Sequence, residues 1–179
     1  MNNKVSKTEM VRAAAVGVFA RYGYARTTMA DLAAAAGMSR PALYLLFAGK
    51  EALFRDLAEA LTGEALAAGE AAWPEGVSLR QGLPAALIAK DLPIFRLVRG
   101  SPHGDEILAA SNRLSADLHA AMEARFAAFL AARLAAAGVA EPAACARMLV
   151  AAAHGIKERN RDEADFVADL TRLARLVQA

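Results

Sequence analysis

Few side chains in this sequence are equipped for covalent chemistry. One cysteine, Cys145, and three histidines, His103, His119 and His154, are the candidates for a nucleophile, a base or metal ligands. The histidines have no close ligand spacing, and Cys145 lies among alanines in an apolar helical stretch. No phosphate-cradling glycine loop and no nucleophile elbow occurs. The sequence therefore argues against an enzyme, a metal site and a bound cofactor. What it offers is charge. Residues 1–50 hold seven Lys and Arg against Glu9 and Asp31, a balance of +5, while residues 51–179 carry −3. Phosphate neutralisation by Lys and Arg supplies most non-specific DNA affinity, so a basic head before a mildly acidic body suggests a polyanion-binding segment. A solvated basic face is the alternative.

Within that head, two short helices joined by a tight turn at Gly37 form a helix-turn-helix constellation. Such a unit needs a small residue where its helices cross, a glycine in the left-handed turn and an apolar anchor in the second helix. Ala33, Gly37 and Leu43 meet these needs.

The elements around it are all helical, and no run of alternating β-branched residues reads as a strand. Ser6 and Glu9 have capping-box spacing ahead of Val11, Ala14, Ala15, Val18, Phe19 and Tyr22 on one face, and Gly23 stops that helix. Thr28 and Asp31 start a second helix with Met29, Leu32, Ala33 and Ala36 inward, ended by Gly37. Ser39 caps a third, where Pro41 is tolerated in the first turn and Leu43 and Phe47 point the same way. A longer helix from Lys50 carries Leu53, Phe54, Leu57, Leu61 and Ala65 and fades before Trp73. Ser78 and Gln81 mark the next start, Pro84 and Pro93 predict a kinked or split helix, and residues 100–104 break the chain. Leu114, Leu118, Met122, Phe126 and Leu130 predict one long helix ending near Gly138. Two more helices follow, about 142–157 and 163–177. The fold class is all-α, with a helix-turn-helix domain at 1–50 and a helical body at 51–179.

The 179 residues suffice for two unequal domains, and much of the 56% hydrophobic fraction is alanine, which favours helix but buries little area. No stretch free of charged residues exceeds nine residues, so no membrane span is expected. No signal segment is recognisable, and the single cysteine cannot form an internal disulfide. A reducing cytoplasm is the expected setting.

Three segments taken together are more telling than the turn alone: Gly23 to Ala33, Gly37 to Phe47, and Lys50 to Leu53. With their Thr-Thr pair, Leu-Tyr pair, Phe47 and Lys-Glu-Ala-Leu run, they make residues 10–57 strongly resemble the TetR family of bacterial regulators. That resemblance implies a recognition helix from Arg40 to Phe47 entering the major groove by its N-terminal end. Arg40 can donate two hydrogen bonds to guanine, with a phosphate contact as the alternative. Pro41 and Ala42 offer small apolar surface to thymine methyls, although Pro41 can serve simply to start the helix. Tyr44 matches a phosphate-binding hydroxyl, with a ring packed in the core as the alternative. Thr27, Thr28 and Ser39 match backbone-contacting positions, the latter two doubling as caps. Lys50 matches a phosphate-binding lysine, with a free solvated lysine as the alternative. Leu46 departs from the polar residue common in the family, and Leu45 is apolar too, which leaves base discrimination to Arg40, Pro41, Ala42 and Tyr44.

The resemblance further implies double-stranded DNA with a palindromic operator as partner, a homodimer, and a small-molecule effector whose binding in the body relieves repression. Trp73, Phe95, His119, Met122 and Phe126 are candidate pocket residues, with core packing as their ordinary role; Arg96 and Arg99 could receive an anion, with solvated side chains as their ordinary role. The last two helices would pair with their copies in a four-helix bundle through Ala144, Ala151, Ala152, Gly155, Phe166, Leu170 and Leu173, with packing inside one subunit as the alternative. A helical protein-interaction module without operator binding is the competing reading of the whole chain.

Overall fold

A computed structural model describes residues 6–177. Among the described residues nine helices run in the order α1 (Lys7–Arg26), α2 (Met29–Ala35), α3 (Arg40–Tyr44), α4 (Lys50–Ala71), α5 (Leu79–Arg99), α6 (Gly104–Leu114), α7 (Ala116–Ala136), α8 (Pro142–Arg159) and α9 (Glu163–Leu176), with no strand. No described helix is long and apolar enough to cross a membrane, and no described cluster of His, Cys, Asp and Glu could hold a metal ion.

The helix starts follow local chemistry. Ser6 accepts from the Glu9 N–H while Glu9 accepts from the Ser6 N–H, and Thr28 and Asp31 repeat the arrangement at α2. These reciprocal bonds hold both Glu9 and Asp31 below ordinary carboxylate pKa values. Ser39 accepts from the Ala42 N–H at the start of α3, and Asp162 caps α9.

The chain divides into two compact units. The first comprises residues up to Ala60 together with Leu97–Ala116. Val11, Ala15, Val18 and Phe19 of α1, Met29, Leu32 and Ala33 of α2, Leu43 and Phe47, and Leu53, Phe54 and Leu57 of α4 are all buried. Tyr22, expected on the inner face of α1, is exposed, and Tyr24 supplies the ring instead, stacked on Phe19 at 6.0 Å and edge-on to Phe54 at 4.9 Å. Arg12 grips Asp56 with two hydrogen bonds of 2.7 and 2.8 Å, tying α1 to α4. α6 joins this unit from far along the chain. Its Glu106 accepts from the Ala25 N–H at 2.7 Å, and Ser101, just before α6, donates to the Ala20 carbonyl at 2.8 Å. Gly23, at φ 76° and ψ 169°, makes room for this, since a Cβ there would stand 2.3 Å from a Glu106 oxygen.

Helix continuity differs from the sequence expectation at two places. Of the kinked or split helix expected at Pro84 and Pro93, the split does not occur, because Leu83, Ala86, Leu87, Asp91 and Phe95 keep one continuous face buried and packing outweighs the lost backbone bonds. The long helix expected from Leu114 to near Gly138 begins instead at Ala116 as α7, while Leu114 closes α6 and Ser115 separates the two. The Arg55 guanidinium donates to the Leu114 carbonyl, an acceptor freed where α6 ends.

The second unit comprises Leu61–Arg96 and the chain from Asp117 onward. Leu66, Leu83, Leu87, Phe126, Leu130, Leu134, Leu149, Phe166 and Leu170 form its core. Trp73 is buried against Gly82, where any Cβ would overlap the indole, and its Nε1 donates to the Val77 carbonyl at 3.1 Å. In the same interior Asp91 is almost wholly buried and accepts from Lys90 and Lys157, each at 3.1 Å. Burial alone would raise its pKa, but the two ammonium groups hold it below the ordinary carboxylate range.

Candidate nucleic-acid interface

Ala33 and Gly37 shape the turn between α2 and α3. Ala33 is buried, and Gly37 takes φ 65° with no atom near the missing Cβ, so backbone conformation alone requires glycine there. The Met38 N–H bonds the Ala33 carbonyl at 3.0 Å and the Gly37 N–H the Ala34 carbonyl at 3.1 Å, closing the end of α2. From below, Leu43 and Phe47 lock the short α3 to the unit's core. The regular helix spans five residues rather than the eight expected, because Leu45 caps it.

Fixing Leu43 and Phe47 inward directs the remaining side chains outward. Arg40, Pro41 and Tyr44 are exposed and Ala42 is half-buried. The Arg40 guanidinium lies 5.7 Å from the Tyr44 ring centroid, a cation–π contact that holds a donor fork beside a phenol. Thr28 and Ser39 are exposed caps, their hydroxyl oxygens accepting from Asp31 and Ala42 N–H groups.

Thr27 and Lys50 sit differently. Thr27 is 2% exposed and its hydroxyl donates to the Gly23 carbonyl at 2.6 Å, so that oxygen stabilises the chain reversal after α1. The Lys50 ammonium donates to the carbonyls of Tyr24 at 2.8 Å and Ala25 at 3.2 Å, and lies 4.5 Å from the Tyr24 ring centroid. A cation at the carboxyl end of a helix meets its negative pole, so Lys50 clasps the start of α4 to the end of α1. Neither the freely solvated lysine nor a side chain wholly available to phosphate describes it.

The apolar character of Leu45 set it aside from base discrimination in the sequence, yet it is 88% exposed. The signal was present in its half-turn offset from Leu43 and Phe47. Glu106 had no local signal, since its partner Ala25 lies 81 residues away.

In the helical body, Phe95 stacks on Phe166 at 4.3 Å and Phe126 on Phe129 at 6.0 Å, so both rings, with Trp73, are core residues. Met122 packs at the edge of that core. His119 is half-buried, and burial, assisted by Lys157, pushes its pKa down. Arg96 is paired with Glu163 and Arg99 with Asp105. His154 lies between Glu123 at 3.2 Å and Glu158 at 3.3 Å, and burial raises the Cys145 thiol pKa.

Of the residues expected to pair two subunits, Phe166 and Leu170 have no exposed surface and belong to the core of one chain. Leu173 packs partly against that core. Ala151 is exposed and Ala144, Ala152 and Gly155 are half-buried. The large apolar side chains that stand exposed among the described residues of this unit are Met148 on α8 and Leu176 on α9.

The fold defines a class: among the described residues, an all-α protein whose first unit presents a helix-turn-helix with the outer side of α3 exposed. Residues 11–57 match the family profile of bacterial regulatory proteins, tetR family. Across nearly its whole length the chain is similar to solved regulators. A transcriptional regulator from Rhodococcus sp. RHA1 superimposes with a TM-score of 0.77 at 20% identity, over 96% of both chains. A TetR-like transcriptional regulator from the same organism gives 0.64 at 26% identity, over 94% of this chain and 93% of that one. SmeT, the repressor of the Stenotrophomonas maltophilia multidrug efflux pump SmeDEF, gives 0.66 at 20% identity, over 97% of this chain and 87% of its own. No curated protein matches at the level of sequence. Residues 11–57 thus form a DNA-binding domain of the kind shared by bacterial regulatory proteins of the tetR family, carried on a chain whose fold as a whole is that of solved transcriptional regulators.

Proposed function

We propose that this regulator is a homodimeric repressor that holds a palindromic operator through two copies of α3 and releases it when a small molecule occupies the helical body. The observation that carries this reading is the fixed inward seat of Leu43 and Phe47, which leaves Arg40, Pro41, Ala42 and Tyr44 facing outward. Arg40 reads guanine through its paired donors, and Tyr44 hydrogen-bonds a phosphate. Thr28 and Ser39 touch the backbone beside it. Thr27 and Lys50 hold the geometry of the head. The protein acts by binding, in the cytoplasm, with no cofactor.

One short helix reads too few base pairs, and two must meet half-sites about 34–36 Å apart, which calls for a two-fold assembly. Ala144, Met148, Ala151, Ala152 and Gly155 recur every three or four residues along one face of α8. A Cβ at Gly155 would meet nothing within 4 Å, so small residues there leave space for close approach by a second helix. Met148, 72% exposed, is the larger apolar group on that face.

The effector requirement is thermodynamic: only a ligand that binds the DNA-incompetent state more tightly can release the operator. Trp73, Phe95 and Phe126 in the core of the second unit, with Met122 packed at its edge and half-buried His119, are the side chains among which it would have to open a seat.

The test is selection of duplexes from a random library by the full chain, followed by footprinting. The expected product is an inverted repeat protected in two half-sites, bound with an affinity that falls steeply with salt. Enrichment of no sequence, or an affinity that does not change with salt, would overturn the reading.

A further inference from the structure

The outward face of α3 carries an apolar ridge with no role in the fold. Leu43, with no exposed surface, and Phe47, 7% exposed, fix the inner side of the segment. At about 100° per residue, the side chain of Leu45 leaves about 160–200° away from both. Its backbone is still right-handed helical, at φ −71° and ψ −22°, and its N–H bonds the Pro41 carbonyl at 3.2 Å. Leu45 therefore stands one turn beyond the exposed Pro41 on the same face, with Ala42 beside it. Arg40 and Tyr44, joined by their cation–π contact, border the ridge.

At 88% exposure, Leu45 is the most exposed large apolar side chain among the described residues. It stabilises no core, and a charged side chain there would add affinity for phosphate. In the major groove the apolar group on the base edges is the 5-methyl of thymine. The geometry points to Leu45 as a specificity-determining residue that selects thymine through this methyl, with Pro41 receiving a second methyl. One helical turn advances about 5.4 Å against about 3.4 Å per base pair, so the two thymines belong to pairs one or two steps apart. The assignment rests on α3 being the groove-reading helix. It adds a contact distinct from the guanine contact of Arg40.

The experiment uses the duplex selected by the full chain. Each thymine is replaced in turn by deoxyuridine, which removes only the methyl, and affinities are measured at one salt concentration for the wild type and Leu45→Ala. At the thymine facing Leu45 the wild type loses about fourfold with one half-site changed and about fifteenfold with both, the loss expected for one buried methyl each, and a second sensitive position marks the thymine of Pro41. Leu45→Ala is indifferent at the first position, keeps the sensitivity of the second, and binds the duplex lacking the first methyl as well as the wild type does. Its melting temperature is unchanged, because the deleted atoms are solvated.

A wild type indifferent to deoxyuridine at every position, or a Leu45→Ala variant as sensitive as the wild type at every position, overturns the assignment while leaving DNA binding intact. Failure of the wild type to retain any duplex at low salt overturns the DNA-binding reading and this assignment with it.

Discussion

Replacing Lys50 with methionine separates a clasp from a DNA contact. The substitution keeps the aliphatic stem and removes an ammonium that donates to two carbonyls at the end of α1, at 2.8 and 3.2 Å, beside the Tyr24 ring. A hydrogen bond to a charged group contributes about 1.5–3 kcal/mol when well shielded. Lys50 is half-buried, so solvent screening reduces that figure, and about 2 kcal/mol for the whole clasp is the working value. For a chain of this size each kcal/mol moves the melting temperature by about 2–4 °C, giving a loss of about 4–8 °C by calorimetry or circular dichroism. A phosphate contact makes a different prediction: an unchanged melting temperature and a salt-dependence slope shallower by about one for each such contact removed. Operator titrations of Lys50→Met at several salt concentrations, run beside the melts, discriminate the two. An undiminished melting temperature with a shallower slope would refute the clasp.

Arg40→Ala is expected to relax preference at one position in each half-site and weaken binding by about 1–3 kcal/mol per contact, measured by repeating duplex selection with the variant. Asp91→Asn leaves Lys90 and Lys157 without their buried anion and is expected to destabilise the chain by about 3–5 kcal/mol in urea unfolding. Because the folded pKa of Asp91 lies below its unfolded value, its contribution is complete above the ordinary carboxylate range and lost as pH falls through the folded value. The wild type should therefore lose on acidification a component of stability that Asp91→Asn lacks. Gly23→Ala forces a side chain into a conformation near φ 76° and ψ 169° and against Glu106, an expected loss of about 1–3 kcal/mol in the same assay. Met148→Glu is expected to melt like the wild type yet sediment as a monomer, since the side chain is free in one chain and charged once covered; a variant that remains dimeric argues against the α8 face.

What the sequence determined by itself were features set within a few residues. Capping boxes act over three positions, so Ser6 with Glu9 and Thr28 with Asp31 announced α1 and α2, and Gly37 announced the turn between the short helices. The buried stripes of α1 and α4 followed from apolar residues recurring with the helical period. Tertiary structure decided what depends on partners remote in sequence. Asp91 meets Lys157 across 66 residues and Glu106 meets the Ala25 N–H across 81, and no local pattern encodes either bond. Pro84 and Pro93 read as breakers because their local cost is visible, whereas the continuous packing that keeps α5 whole is not. Phe166 and Leu170 carry the same apolar signature whether they face their own core or a second subunit, and only the packed chain places them inside. The amino acids at Thr27 and Lys50 suit a phosphate as well as a helix end. Their hydroxyl and ammonium are directed to backbone carbonyls because the fold brings the end of α1 within hydrogen-bonding reach.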